Sequence, residues 1–315
     1  MPTSDALAGR RVLVTGATGF IGSHLTRALL DAGADVHALT RARGRVDRRM
    51  HEHLGDLTDG DSIRAAMTDA RPELVFHLAA YGVTAVQRDA ARMRAVNVGG
   101  VERLWDSLEH TSARLVQTGT CAEYAPKDGA LSEHDPCRPD SNYARTMHEA
   151  VTFSLDQGRR TGREVVIVRP FGPYGAGDRP ERLIPHVIEG LLGGGRVAVT
   201  AGEQRRDFSY VDDHVRALIA AAIVPLAGTR IYNIGSGHPI RVRQLVEAIA
   251  DAVDERSRDR IDYGAVPSRV EDQTDRFADI AAARRDLGYQ PTVPLAEGLA
   301  RTVQAARAAR EAVHT

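Results

Sequence analysis

Short apolar runs alternate with amphipathic stretches along the first two thirds of the chain. The runs are rich in Val, Ile and Leu, as is typical of strands buried on both faces of a parallel sheet. They predict strands over residues 11–15, 35–40, 74–79, 114–118, 165–169 and 230–234, and residues 51–54 are a weaker strand candidate. The stretches between them repeat apolar residues with helical spacing and predict helices over residues 20–32, 61–69, 87–110, 142–158 and 212–223. Strands that alternate with helices imply right-handed βαβ units, so we expect an α/β fold with a doubly wound, Rossmann-like parallel sheet.

The pattern changes after the sixth predicted strand. Proline and glycine become frequent and shorter elements follow, with helices predicted over residues 182–192 and 295–312. We therefore predict a larger domain over residues 1–170, to which residues 207–234 return. The rest of residues 171–315 should form a smaller C-terminal substrate lobe.

The first predicted strand runs directly into a glycine-rich turn, TGATGFIG, and then into the first helix. Such glycines permit a tight turn, close approach of the backbone to a pyrophosphate and close packing of helix on strand. The helix N-terminus adds free N–H groups and the positive end of the helix dipole. A purely structural turn is the alternative, but the strand–turn–helix context favours a dinucleotide site. The candidate contacts in this turn are Gly16, Thr18, Gly19, Phe20, Ile21 and Gly22.

Composition narrows the class of protein. With 43% hydrophobic residues, 26% charged residues and a net charge of −1, the chain is typical of globular proteins, and its charge balance argues against nucleic-acid binding. Two cysteines, Cys121 and Cys137, are too few for a disulfide framework and lack zinc-ligand spacing, so we expect a cytoplasmic setting and no metal site. No apolar run is long enough to span a membrane. Lys127 is the only lysine of the chain.

Further motifs, together with the glycine turn, resemble the extended short-chain dehydrogenase/reductases, in particular the branch that acts on nucleotide-linked sugars. These motifs are Gly55-Asp56-Leu57, His77-Leu78-Ala79-Ala80, Asn97-Val98-x-Gly100, Tyr143, Arg206-Asp207-Phe208, Val211-Asp212-Asp213 and Leu287-Gly288-Tyr289. The resemblance covers nearly the whole chain and implies a nicotinamide dinucleotide cofactor and a nucleotide-linked sugar as substrate. It implies cofactor contacts at Asp56, which typically faces the adenine, and at Leu57, Leu78, Ala79, Ala80, Tyr143 and Pro170.

The end of the second strand bears on which nicotinamide cofactor binds. An NAD site usually has an acidic residue after this strand, which accepts hydrogen bonds from the ribose hydroxyls. Here the strand ends in Thr40, followed by Arg41 and Arg43, with no acid before Asp47. Guanidinium groups match phosphate in charge and geometry, so Thr40, Arg41 and Arg43 predict a 2′-phosphate and hence NADP. NAD is the alternative, and so is a basic loop that is merely solvated.

The resemblance places catalysis on Thr120 and Tyr143. Family members combine a Ser or Thr with a Tyr and with a Lys four residues after that Tyr, and Thr120 occupies the hydroxyl position. Position 147, where the family has Lys, is Met147. Arg145 and His148 lie about 200° and 140° around the helix from Tyr143, so neither directly replaces the lysine.

The methionine changes the direction of chemistry that the site favours. An ammonium about 4 Å from a phenolate is worth roughly 4 kcal/mol at an effective dielectric constant near 20, or about three pKa units. Without that ammonium Tyr143 should stay near the free pKa of about 10. Alcohol oxidation then suffers because it needs a tyrosinate, whereas ketone reduction needs a neutral tyrosine. The alternative is that Met147 only packs and that activity has been lost.

Three further positions bear on the reaction and the substrate. Nucleotide-sugar 4,6-dehydratases carry an Asp-Glu pair directly after the Thr, where this chain has Cys121 and Ala122, and we expect the next residue, Glu123, to point away. Gly172 stands where relatives commonly have an Asn against the diphosphate. The substrate contacts that the resemblance implies are Gly172, Arg182, Leu183, Arg206 and Arg269.

Together these observations predict an NADPH-dependent reductase of a nucleotide-linked keto-sugar, acting at C4 of a 6-deoxy sugar. A nucleotide-sugar epimerase is the second hypothesis, and an inactive protein that binds cofactor or nucleotide sugar is the third. The resemblance also implies a homodimer formed through the helices predicted over residues 87–110 and 142–158. Leu104 and Val151 should be buried there, between subunits or against the sheet.

Overall fold

The computed structural model describes residues 6–84, 86–109, 111–268 and 274–314. In chain order the strands are β1 (Arg11–Thr15), β2 (Asp35–Thr40), β3 (His51–Leu54), β4 (Leu74–His77), β5 (Arg114–Thr118), β6 (Val165–Pro170), β7 (Pro173–Tyr174), β8 (Val197–Val199), β9 (Arg205–Arg206), β10 (Ser209–Tyr210), β11 (Thr229–Ile234), β12 (Ile240–Arg241) and β13 (Ile261–Tyr263). The helices are α1 (Phe20–Asp31), α2 (Gly60–Ala70), α3 (Ala90–Asn97), α4 (Gly99–Leu108), α5 (Asn142–Thr161), α6 (Leu183–Leu192), α7 (Val211–Ile223), α8 (Val242–Val253), α9 (Ala281–Leu287) and α10 (Leu295–His314). Among the helices of the described residues, none combines the length and the apolar character that a membrane span requires.

A parallel sheet of seven strands forms the centre of the described structure, in the order β11-β6-β5-β4-β1-β2-β3. All four residues of β4 are buried, which explains an apolar run without polar alternation. The chain runs outwards from β1 to β3 and then returns to β4 on the other side of β1. This reversal of strand order is where open α/β sheets bind ligands. The predicted α/β class and Rossmann-like sheet are confirmed.

The single helix predicted over residues 87–110 is wrong, because the structure divides it into α3 and α4 at Val98. The side-chain oxygen of Asn97 accepts a hydrogen bond from the N–H of Tyr81, and its amide nitrogen donates to the Tyr81 carbonyl. A Cβ atom on Gly100 would lie 3.0 Å from the Cβ of Leu57. The end of α3 is thus tied to the loop after β4, while α4 packs closely on Leu57, and the chain turns between them.

Three groups of buried apolar side chains hold the layers together. One lies between the sheet and α1, α7 and α9, and a second lies between the opposite face and α2, α4 and α5. The third lies in the lobe, among α6, α8 and α10. Ala283 and Leu287 of α9 belong to the first group, because α9 packs on β11 and α7. The sequence predicts this segment as part of the lobe, whereas in the structure it packs on the sheet.

Candidate active site

A cleft of about 600 Å³ opens at the carboxyl ends of β1, β4, β5 and β6, where the sheet meets the lobe. The point at which the strand order reverses lies at this edge. Most of the residues singled out from the sequence line the cleft, namely Gly16, Thr18, Gly19, Phe20, Ile21, Gly22, Thr40, Arg41, Asp56, Leu57, Leu78, Ala79, Ala80, Thr120, Tyr143, Met147, Pro170, Gly172 and Arg182.

The glycine turn has the backbone geometry that a dinucleotide needs. Gly16 has a positive φ of 75°, and a Cβ atom there would lie 2.7 Å from the backbone nitrogen of Ala79. A Cβ atom on Gly22 would lie 2.0 Å from the carbonyl oxygen of Gly16. The turn therefore packs tightly against both β4 and its own helix. Helix α1 begins with Gly19 as its N-cap, so no side chain covers the N–H groups of its first turn, which faces the cleft. These residues fit the pyrophosphate of a dinucleotide.

An acidic residue that the sequence analysis did not single out, Glu52, lies behind the cleft wall at the end of β2. Glu52 of β3 accepts a hydrogen bond from the Thr40 hydroxyl at 3.0 Å and another from the Gly44 N–H at 2.9 Å. Burial opposes the ionised form, but the Gly44 N–H outweighs it and lowers the pKa of the Glu52 carboxyl. Arg41 and Asp56 both line the cleft. Burial would raise the pKa of the Asp56 carboxyl, but hydrogen bonds from Thr58 and the charge of Arg41 lower it. Arg41 and Asp56 thus line this end of the cleft, and the Glu52 carboxylate lies behind it.

Thr120 and Tyr143 meet in the cleft. Thr120 follows β5, and its hydroxyl oxygen accepts a hydrogen bond from the Ala122 N–H, which starts a short 3-10 helix at Cys121–Glu123. Tyr143 lies in the first turn of α5, whose N-cap is Ser141, and it lines the cleft together with Thr120. Met147 is buried one turn further along the helix and lines the cleft beside them.

Burial raises the pKa of Tyr143 to about 12. The neighbouring Thr120 side chain and the positive charge of Arg182 both oppose this shift, but burial outweighs them. Tyr143 is therefore a neutral phenol at pH 7 and carries its proton into the cleft. Arg182 comes from the lobe, so a cation does bear on the tyrosine, although it is not on the same helix.

Glu123 lies behind the cleft, and its carboxylate is held by Thr120, Arg169 and His148. Its carboxylate accepts hydrogen bonds from the Thr120 N–H at 2.8 Å and from Arg169 at 2.7 Å, and it lies 3.3 Å from Nδ1 of His148. Burial alone would raise the pKa of this carboxyl, but the bond from His148 and the charge of Arg169 lower it. The expectation that Glu123 points away from the cleft is therefore met, although a 3-10 turn and not a continued strand directs it there.

The lobe side of the cleft is polar and contains residues that the sequence did not single out. Asp178 and Arg179 line it together with Arg182, whose Nε lies 3.5 Å from Oδ2 of Asp178. Burial raises the pKa of Asp178. Gly172 has a positive φ of 44°, and a Cβ atom there would lie 2.0 Å from the carbonyl oxygen of Asp207, so no side chain fits at this position. No local pattern marks Asp178 or Arg179, because only the chain reversal after β7 brings them to the cleft.

Three candidate residues of the described chain are not brought to the cleft wall. Arg43 lies in the loop after β2, near Glu52, because the chain turns outwards at Gly44. Leu183 packs into the apolar group of the lobe, and the guanidinium of Arg206 donates to the carbonyls of Arg205 and Thr274. The charge of Arg206 still bears on the thiol of Cys121. Arg269 lies outside the described residues.

Comparison with known proteins identifies the group to which this site belongs. Residues 12–235 match the model of the NAD dependent epimerase/dehydratase family. The chain belongs to this family. The predicted resemblance to extended short-chain dehydrogenase/reductases is thereby confirmed.

Individual relatives cover almost the whole chain. A dTDP-glucose 4,6-dehydratase of Streptomyces griseus is 35% identical over 93% of this chain and 92% of its own. A UDP-glucose 4-epimerase of Mycolicibacterium smegmatis is 30% identical, covering 93% and 97%. The crystal structure of a dTDP-glucose 4,6-dehydratase of Streptomyces venezuelae, which contains NAD, is 30% identical with a TM-score of 0.85, covering 96% and 98%. The family relationship therefore extends through both the sheet and the lobe.

Proposed function

We propose that this family member reduces the keto group of a nucleotide-linked keto-sugar, with C4 of a 6-deoxy sugar as the reacting carbon. The observation that carries the proposal is the Tyr143 hydroxyl, held beside Thr120 in the cleft and kept protonated by burial. Reduction of a ketone requires a proton donor, whereas oxidation of an alcohol requires a proton acceptor. A tyrosine with a pKa of about 12 is a donor at pH 7.

Each residue has a separate part in this reaction. A bound nicotinamide supplies the hydride that the carbonyl carbon receives. The hydroxyls of Thr120 and Tyr143 hold the carbonyl oxygen between them, and Tyr143 transfers its proton to that oxygen as the new alcohol forms. The resulting tyrosinate takes up a proton from solvent. Met147 contributes no charge, so it does not stabilise the tyrosinate that the reverse reaction would have to start from.

Elimination of water is poorly supported, although several relatives are dehydratases by name. Such a reaction needs an acid and a base beside the sugar. Cys121 lines the cleft, but burial raises the pKa of its thiol, so it stays neutral, and Ala122 has no ionisable group. Glu123 is ionised but is fully used by Arg169, His148 and the Thr120 N–H.

The arginines on the lobe side favour an anionic substrate. Arg179 and Arg182 line the cleft opposite the glycine turn, and Asp178 leaves the pair with net positive charge. Guanidinium groups bind phosphate oxygens in a bidentate manner. The names of the relatives contain dTDP-glucose and UDP-glucose, so we propose a dTDP- or UDP-linked sugar whose diphosphate contacts these arginines.

For the cofactor we propose NADP(H) in preference to NAD(H). Arg41 lines the cleft at the end of β2, where a 2′-phosphate would lie. Glu52 opposes an anion there, but its oxygens accept bonds from Thr40 and Gly44 and it does not line the cleft. The charge of Arg43 lies close to the same carboxylate. The arginines therefore outweigh Glu52, even though a related dehydratase structure contains NAD.

A nucleotide-sugar epimerase is the second candidate, favoured by the relative with that name. An epimerase must first oxidise its substrate, and the high pKa of Tyr143 makes this the weaker proposal. A protein that only binds cofactor and nucleotide sugar is the third.

The three candidates differ in what happens to the cofactor. The purified chain is mixed with NADPH or NADH and with dTDP- and UDP-linked 4-keto-6-deoxy sugars or the corresponding glucose derivatives. The absorbance of the reduced nicotinamide is followed while the sugars are separated by chromatography. A reductase consumes reduced cofactor in proportion to the keto-sugar. Isomerisation of a nucleotide sugar without net consumption would identify an epimerase, and saturable binding without turnover would identify a binding protein. Either result would overturn the reductase proposal.

A further inference from the structure

A cluster of histidines lies at the edge of the sheet, away from the cleft. It consists of His37 on β2 and of His51 and His53 on β3, with Asp35 on β2 and Asp69 on α2, and we call these five residues the edge histidine cluster. Strand β3 is the last strand of the sheet, and His37 is the register partner of His51. Because side chains alternate along a strand, His51 and His53 lie on one face and Glu52 lies on the other.

The donor atoms of the cluster converge. Nε2 of His37 and Nε2 of His51 lie 3.6 Å and 3.2 Å from the same oxygen, Oδ1 of Asp35. Donor atoms of these three residues all lie within 4.8 Å of one another. Ligands about 2.0–2.2 Å from a tetrahedral zinc ion are roughly 3.4 Å apart, so two of the three separations already match. His37 is buried and fixed, whereas the His51 side chain is 63% exposed and free to turn.

A second line of contacts runs behind His37. Nδ1 of His37 lies 2.9 Å from Nε2 of His53, and Nδ1 of His53 lies 3.6 Å from Oδ2 of Asp69. Asp35, His37, His53 and Asp69 thus form a chain with three contacts. Two neutral imidazoles bring only two N–H protons to these three contacts. One contact therefore has no proton between its two atoms, and a cation bound there would take that place.

We propose that the edge histidine cluster is a binding site for a divalent first-row transition metal of the zinc type. Nε2 of His37, Nε2 of His51 and Oδ1 of Asp35 are the ligands. The ion takes the place of the missing proton beside Asp35, so that Nδ1–H of His37 donates to His53 and Nδ1–H of His53 points towards Asp69. Two imidazoles and a carboxylate are ligands that zinc accepts, with water completing the coordination. His53 and Asp69 are positioning residues that orient His37.

The expected consequence is structural. The ligands come from both β2 and β3, so the ion adds a cross-link to an edge strand that pairs on one side only within the described sheet. The site requires His51 to turn, because its ring is stacked on that of His37, with centroids 4.6 Å apart and planes inclined by 21°. Its exposure permits that movement.

The test uses the full-length chain without an affinity tag. Calorimetric titration with Zn²⁺ after removal of bound metals should show saturable binding of one ion per chain. Titration with Co²⁺ should give the visible absorption of an imidazole-bound ion. His51→Gln removes a ligand at an exposed position, so it should weaken Zn²⁺ binding more than Asp69→Asn does. Asp69→Asn should weaken it by about 10–100-fold, as expected for a residue that acts through a ligand.

The matched control is His186→Gln, which removes an exposed histidine from α6 in the lobe. It should bind Zn²⁺ like the unaltered chain, and circular dichroism should show that all variants are folded. The proposal is overturned if the unaltered chain binds no Zn²⁺, since an additional proton then completes the cluster. It is also overturned if His51→Gln and His186→Gln bind Zn²⁺ with equal affinity.

Discussion

At the scale of single residues, the candidate site depends on which protonated form each side chain keeps. Burial holds Tyr143 as a neutral phenol, and the same effect keeps the Cys121 thiol neutral. Glu123 remains ionised although it is completely buried, because Arg169 and His148 lie against it. Tyr143 and Cys121 therefore keep their protons in the cleft, while the buried Glu123 carboxylate behind it is held by Arg169 and His148. This distribution of protons underlies the predictions for Tyr143 and Met147.

Replacing Tyr143 with Phe should remove the proton donor and leave the cleft otherwise unchanged. We expect kcat/KM for keto-sugar reduction to fall by about 10²–10⁴-fold, the usual contribution of a general acid. Tyr263→Phe is the control, because this tyrosine packs under Arg243 in the lobe, far from the glycine turn. Turnover that survives in Tyr143→Phe would show that another group supplies the proton.

Replacing Met147 with Lys should place an ammonium one helical turn from Tyr143. An attraction of roughly 4 kcal/mol corresponds to about three pKa units, so the pKa of Tyr143 should fall. The oxidative direction gains more than the reductive one, because only oxidation starts from the tyrosinate. The measurement is kcat/KM in both directions across the alkaline pH range, with Met147→Leu as an uncharged control. An oxidative pH profile that is the same in the Lys and Leu variants would refute this account of Met147.

Replacing Arg41 with Ala should affect the binding of NADPH and of NADH differently. Loss of a cation at the cleft wall removes a charge-assisted bond to a 2′-phosphate, so NADPH binding should weaken at least about tenfold, or 1.4 kcal/mol. NADH binding should change little. Arg43→Ala serves as the comparison, because Arg43 does not line the cleft. Equal losses for NADPH and NADH in Arg41→Ala would mean that the arginine does not recognise the phosphate.

At the scale of elements, the cleft depends on how helices are attached to the loops between the strands. Asn97 is buried at the end of α3, where it binds both backbone groups of Tyr81 and donates to the Thr146 hydroxyl of α5. It thereby joins α3, α5 and the loop after β4. Tyr81 lines the cleft, and Tyr143 lies on the same helix as Thr146. A side chain outside the cleft thus sets the distance between two of its walls.

Replacing Asn97 with Ala should leave buried backbone groups of Tyr81 without partners. We expect the free energy of unfolding to fall by about 1–3 kcal/mol, and cofactor binding to weaken because the Tyr81 loop loosens. Urea unfolding measures the first effect and calorimetry the second. Thr152→Ala, at an exposed position of α5, provides the baseline. Wild-type stability in Asn97→Ala would mean that water replaces the amide at no cost.

The sequence predicts those elements whose signals are local. The segments that form β1, β2, β3 and β5 have the predicted bounds. In β1, β2 and β5 an apolar run ends at a threonine that is followed by a turn or loop. The break at Val98 depends on contacts with Tyr81 and Leu57, which are distant in sequence, and so the periodicity does not show it. The glycine turn is recognisable for the same local reason, whereas Tyr143 is recognised through the resemblance to the family.

The missed residues share one physical cause. Glu52 approaches Thr40 only through the pairing of β3 with β2. The same pairing brings His37 to His51, and the charge of Arg182 reaches Tyr143 across the cleft from the lobe. Pairing between strands and packing between layers place these groups, and neither is written in the spacing of residues along a single element.

At the scale of the whole molecule, the sheet domain and the smaller lobe meet at the cleft. The sheet supplies the glycine turn, Thr120 and Tyr143, whereas the segment leading into the lobe supplies Arg179 and Arg182. Cofactor and substrate would thus be held by different parts of the chain. The outer surface of α4 and α5 lies on the side of the sheet opposite α1 and α7.

A homodimer through α4 and α5 remains a prediction. The structure shows which side chains of these helices face outwards and which are buried. Leu104 and Val151 are buried in the core of a single chain, so they are not available to a partner. The outward face of α5 carries Thr152 and Glu149, which pairs with Arg94 of α3. Sedimentation velocity at micromolar concentration should show a dimer that dissociates as salt is added, because salt screens exposed charges. Glu149→Arg should weaken the dimer and Glu255→Arg should not, and a monomer in low salt would rule the dimer out.

Because β11 pairs with β6, the sheet cannot be completed during synthesis until β11 has been made. Strand β6 pairs along its whole length with β11, from Val165 opposite Thr229 to Pro170 opposite Ile234. Until the ribosome has made residue 234, β6 is an open edge with its backbone groups unpaired, and such edges recruit other chains. Helix α9, which covers β11, emerges later still. A shortened version that stops at residue 170 would keep this open edge permanently, so the sheet domain is not an independent unit for expression even though it contains the glycine turn, Thr120 and Tyr143.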